Sequence, residues 1–137
     1  MPVTTPGDDR LPACPASPNC VCSDDPPGPR RIAPLALRPG GGRGAEEIGR
    51  LRAAVEPVVT ALPGARIVSS IDRRIVAEFR SRVFGFVDDV VLDIRPEQGT
   101  IAVRAAARTG YWDLGVNRRR IEAIRARLSS LGIVEPT

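Results

Sequence analysis

All three cysteines of the chain fall within one short stretch, "CPASPNCVC" at residues 14–22. Thiols this close can bind a soft metal ion, close a disulfide or exchange with one another. A closed zinc site wants four tetrahedral ligands, commonly from paired Cys-x-x-Cys spacing. Here five residues separate Cys14 from Cys20, one separates Cys20 from Cys22, and the chain has no histidine. Zinc would need Asp24, Asp25 or a second chain to complete its shell, whereas three thiolates suit Cu(I). No metal and no cofactor is assigned on this basis. A Cys14–Cys20 disulfide is geometrically easy, because Pro15, Pro18 and Asn19 favour a turn that returns the chain on itself. Cys22 is then a free thiol able to exchange with the bridge. The reading is a stapled or packed loop first, a redox element second and a metal claw third.

The second group that could do chemistry is the doublet Asp88–Asp89 with the arginines around it. Adjacent strand residues point to opposite faces, so these carboxylates cannot share a proton as a catalytic dyad. Arg118, Arg119 and Arg120 fall in the first turn of a final helix, where cations oppose the helix dipole and call for acidic partners. At least one is expected to reach Asp88 or Asp113. Asp88, Arg108, Tyr111, Asp113, Asn117 and Arg118 form the candidate ligand-binding set, either as a buried ion-pair network or as a polar pocket for an anion.

The basic residues number 20, all of them arginine. With neither lysine nor histidine present, no imidazole serves as general base and no amine forms a Schiff base. No nucleophile–base pair is visible, and no catalytic residue is assigned. A net charge of +4 is modest for a nucleic-acid binder, and 4% aromatic residues leave little to stack bases on. The expected function is a non-enzymatic module binding a small anionic ligand or a protein partner, with thiol redox or metal handling as the alternative.

These groups must be positioned by a chain of 137 residues, enough for one domain. Residues 1–44 are rich in Pro, Gly and small polar residues and read as an extended arm, with Ile32, Leu35 and Leu37 as apolar handles. Its "PGGGRG" segment lacks the Lys and Ser/Thr of a phosphate-binding P-loop and reads as a linker. Residues 45–137 read as a single α+β domain. "AEEIGRLRAAVEPVVTAL" has helical spacing, which Pro57 should kink or divide. Four strand-like runs follow at 66–71, 74–82, 84–94 and 100–108, with "PEQG" joining the last two.

Regular pairing sets Asp88 opposite Ala107, Val90 opposite Ala105 and Leu92 opposite Val103. Phe84, Phe86, Asp88, Val90, Leu92 and Ile94 then share one face. Asn117 reads as the N-cap of the last helix, and Ile121, Ile124, Leu128 and Leu131 as its buried stripe. The expected fold is a four-stranded antiparallel sheet with both helices on one face, preceded by the arm.

"CPASPNCVC", "FRSRVFGFVDDV" and "GYWDLGVNRRRIEAIR", in this order, closely resemble the domain-of-unknown-function family numbered 1499, which is found in bacteria and plastids. The resemblance covers nearly the whole chain after the first ten residues. The family typically reads Cys-Pro-x-Ser-Pro-Asn-Cys-Val-Ser-Ser, so Cys14 and Cys20 match while Cys22 stands where serine is usual. It implies no established activity. Many members carry a membrane or lipoprotein anchor. In this chain "LPAC" ends at Cys14 but follows prolines and aspartates rather than an apolar core, and no apolar run approaches the roughly 18 residues of a membrane span. A cytoplasmic location without membrane insertion is expected.

Overall fold

The computed structural model describes residues 10–81, 85–110 and 113–136. The order of elements is β1 (Cys20–Cys22), β2 (Leu35–Ala36), α1 (Ala45–Thr60), β3 (Ala65–Ile71), β4 (Arg74–Arg80), β5 (Val87–Arg95), β6 (Thr100–Ala107) and α2 (Val116–Ser130). The fold is α+β. The antiparallel sheet has six strands, in the order β1-β6-β5-β4-β3, with β2 pairing a second stretch of β6.

β5 and β6 pair in the register expected from their alternation, with Asp88 opposite Ala107, Val90 opposite Ala105 and Leu92 opposite Val103. The inner face carries Ile75, Ala77, Phe79, Val90, Leu92, Ile94, Ile101, Val103 and Ala105. Leu51, Val55, Val58 and Val59 of α1, and Ile121, Ile124 and Leu128 of α2, close the core over that face.

Four sequence expectations are corrected. The sheet has six strands rather than four because residues 20–22 and 35–36 add to β6. Val21, Ile32 and Leu35 are thereby buried in the main core. Phe86 is 58% exposed, since β4–β5 pairing ends at Arg80–Val87 and Phe86 belongs to the connection beyond it. Helix α1 runs unbroken through Pro57. Leu131 is 63% exposed because α2 stops at Ser130. There Gly132, at φ 77°, turns the chain so that its N–H reaches Ser129 O and the Ile133 N–H reaches Leu128 O, a Schellman closure. Val134 is buried in the stripe's place.

The outer face of the sheet is partly covered. Residues 10–19 lie over it as a strap, and Leu11, Cys22 and Ala102 form a second small apolar cluster with Cys14 and Val91 against it. Among the described residues no helix is long and apolar enough to cross a membrane.

Candidate functional site

The N-terminus of α2 gathers much of the expected set. Gly115, at φ 76°, is its N-cap, and Asn117 lies inside the first turn rather than capping it. The capping group is Asp113: its Oδ1 accepts the Gly115 N–H at 2.8 Å and its Oδ2 the Asn117 N–H at 3.0 Å. Relieved of that task, the fully buried Asn117 side chain donates to Asp113 Oδ2 at 2.9 Å and to Asn19 O at 3.3 Å, and accepts from Arg120 Nη1 at 3.0 Å. The same Nη1 donates to Asp88 Oδ2 at 2.7 Å. Arg120 also lies 4.5 Å over the Phe79 ring. Asn19 completes the chain of bonds by donating to Gly110 O at 2.6 Å. Asp88, Asp113 and Asn117 are thus one network, joined through Arg120, that ties α2 to the residue before β1, to β5 and to the segment after β6.

Arg118 and Arg108 do not converge on a common ligand. Arg118 Nη2 donates to Pro29 O at 2.9 Å and to Arg31 O at 3.1 Å. Two turns further along α2, Arg125 grips Pro34 O at 2.9 Å and Ala33 O at 2.8 Å. Carbonyls in an irregular, proline-rich segment have no ladder partner, and these arginines supply one. Arg108 stands on the opposite face of the sheet, paired with Asp89 and Glu78, where it and Arg66 hold the Glu78 carboxyl below its ordinary pKa. Tyr111 lies outside the described residues. Asp113 and Arg118 do share a small cleft of about 160 Å³ with Pro18, Cys20, Pro29 and Arg30.

Cys14 and Cys20 are joined as a disulfide, and Cys22 is a buried free thiol. Burial pushes its pKa up, opposing the thiolate that a nucleophile or metal ligand must supply. Among the described residues, no group of three or more Cys, Asp or Glu side chains is arranged to hold a metal ion.

The family model whose description is "Protein of unknown function (DUF1499)" matches residues 10–128. The chain belongs to that family. No curated protein and no solved structure matches the chain. The three stretches that carry the DUF1499 resemblance are the ones this network joins: Asn19 from the cysteine stretch, Asp88 from the second, and Asp113, Asn117 and Arg120 from the third.

Two further charged groups were not identified from sequence. Under the strap, Arg95 makes a bidentate pair with Asp24, both bonds 2.9 Å, and donates to the fully buried Asp93 at 2.9 Å. Burial alone would raise the Asp24 carboxyl, but Arg95 and the Leu11 N–H hold it below its ordinary pKa. Strict alternation exposes Asp93 and Arg95 on the outer face, and nothing in the local pattern announces that residues 10–25 cover them. The other group is a cleft of about 420 Å³, walled by residues 38–43, the start of α1 and the turn after α2. Arg38, Arg43 and Arg50 line it with Glu47. Glu47 and Arg50 form a bidentate pair, each bond 2.6 Å, and Arg38 stands 3.8 Å from Glu135. Among the described residues Arg43 has no ion pair. A side chain at Gly41 would run into the Glu47 carboxylate, so glycine lets the loop close onto the pair. The signal was present in "RPGGGRG", but without P-loop residues after the glycines it read as a linker.

Proposed function

We propose that the chain is a non-enzymatic module that binds a small anionic ligand of the phosphate or carboxylate class in the cleft formed by residues 38–43 and the start of α1. The observation that carries this reading is the unpaired Arg43 beside Arg38 and Arg50, in a cleft whose one lining carboxylate, Glu47, is already engaged. Guanidinium groups recognise oxyanions by paired, charge-assisted hydrogen bonds. Three arginines exceed what Glu47 and Glu135 together neutralise. The start of α1 also has no side-chain cap, leaving first-turn N–H groups for the same ligand.

The Asp88–Arg120–Asn117–Asp113 network supports this division of labour from the other side. Its groups satisfy one another, which suits a clamp that fixes α2 on the sheet better than a pocket awaiting a ligand.

Titration calorimetry with inorganic pyrophosphate tests the proposal. Saturable binding is expected, weakened about tenfold by Arg43→Ala, as for one lost charge-assisted bond, and unaffected by Arg118→Ala. Absence of saturable heat, or equal binding by Arg43→Ala, would overturn it.

A further inference from the structure

The strap and the cysteines beneath it carry an inference independent of the anion cleft. Alternation along β1 sends Val21 to the main core and turns Cys20 and Cys22 outward, where Cys22 is fully buried against Leu11 and Ala102. What covers Cys22 is therefore the strap itself, and the Cys14–Cys20 disulfide lashes the strap to the same strand. Asn19, at the root of the strap, is held by Ala107, Gly110 and Asn117. Before it, the Leu11 N–H donates to Asp24, the Cys14 N–H donates to Asp25, Arg104 donates to the carbonyls of Pro12 and Ala13, Arg30 donates to Ser17 O, and the Cys22 thiol donates to Pro12 O at 3.8 Å. Leu11 is the one strap side chain buried in the small cluster. Ordering each backbone residue costs conformational entropy, and one buried leucine with a few partly solvated hydrogen bonds offsets little of that cost. The closed strap also adjoins Asp93, opposite Ala102 in register and fully buried, whose Oδ1 has no hydrogen bond among the described residues and stands 3.6 Å from Arg74 Nε. Opening admits water to that oxygen.

We propose that the Cys14–Cys20 disulfide is a redox latch, and that its reduction by a dithiol releases the strap and makes the Cys22 thiol a site of covalent modification. The more accessible end of the bridge is Cys14, which is half-buried, whereas Cys20 is buried. A thiolate of the dithiol attacks the Cys14 sulfur, forming a mixed disulfide and expelling the Cys20 thiolate, which takes up a proton. The second thiol of the reductant then displaces Cys14, which is protonated in turn. Two electrons and two protons pass to the protein, and the reductant leaves as its own cyclic disulfide. With Cys14 free, the strap detaches from β1 while the main core, which contains no strap residue, stays closed.

The test is iodoacetamide labelling read by peptide mass spectrometry. In the oxidised protein Cys22 should resist labelling in native buffer. In the double variant Cys14→Ser/Cys20→Ser, where Cys22 is the sole thiol, labelling should be at least about tenfold faster while the cooperative thermal transition persists. Labelling that stays as slow as in the oxidised protein would overturn the proposal, because the strap's noncovalent contacts would then hold it without the disulfide. Labelling that rises only in step with global unfolding, measured as its dependence on urea, would overturn it as well.

Discussion

Asp88 shows how one residue's placement converts a potential catalytic group into a fastening. Its strand parity turns it toward the helices, and the low exposure of its side chain (13%) is tolerable because Arg120 meets it at 2.7 Å. Asp88→Ala should destabilise the fold by about 2–4 kcal/mol, since it strands Arg120 in a partly buried site. Chemical denaturation should find that an added Arg120→Met recovers part of that loss, as expected when the cost lies in the unpaired charge. Asp24 makes a pH-dependent counterpart. Its carboxyl is held below the unfolded value by Arg95 and the Leu11 N–H, so its contribution is full above about pH 4 and is lost as pH falls through the lower folded-state value. Urea midpoints measured between neutral pH and pH 3 should fall more steeply for the native chain than for Asp24→Asn. Equal slopes would remove Asp24 from the acid response.

At the scale of elements, a glycine turn and a carbonyl-gripping arginine set how neighbouring segments pack. Gly64, at φ 77°, lies against β4, and a Cβ there would run into the Arg80 carbonyl oxygen. Gly64→Ala should cost at least about 1 kcal/mol and lower the thermal midpoint, because alanine is strained at positive φ and meets backbone as well. Arg125, with two carbonyls and Glu122 as partners, should cost about 2 kcal/mol when replaced by Met, with faster amide exchange after residue 34.

The central elements were legible because their patterns persist: β5 and β6 alternate over eight or nine residues and a turn signal separates them, which fixed their register. Strands β1 and β2 have three and two residues between prolines, too few to display a period. Phe86 and Leu131 failed at element ends, where a pattern read from the middle continues on paper after the backbone has turned. Asn117 failed for a subtler reason. A good capping residue was present, but the helix begins before it, and Asp113, two positions before the Gly115 turn, accepts the Gly115 and Asn117 amides from outside the helix.

For the molecule as a whole, the N-terminal third does more than trail. It supplies two strands, buries Ile32 and Leu35 in the core and covers Asp93 and Arg95 on the outer face. Sequence composition described that segment as an extended arm but could not indicate the carbonyl-gripping arginines that dock it. Its glycine-rich end borders the arginine cleft, so the segment that docks the domain also forms the proposed binding wall. The most direct measurement is an NMR titration of the isotopically labelled chain with inorganic pyrophosphate, following backbone amides and arginine side-chain Nε–H signals. Saturating shifts confined to Gly40–Gly42 and to Arg38, Arg43 and Arg50 are predicted. Shifts centred on Arg108 or Arg118, or scattered shifts that never saturate, would contradict the account.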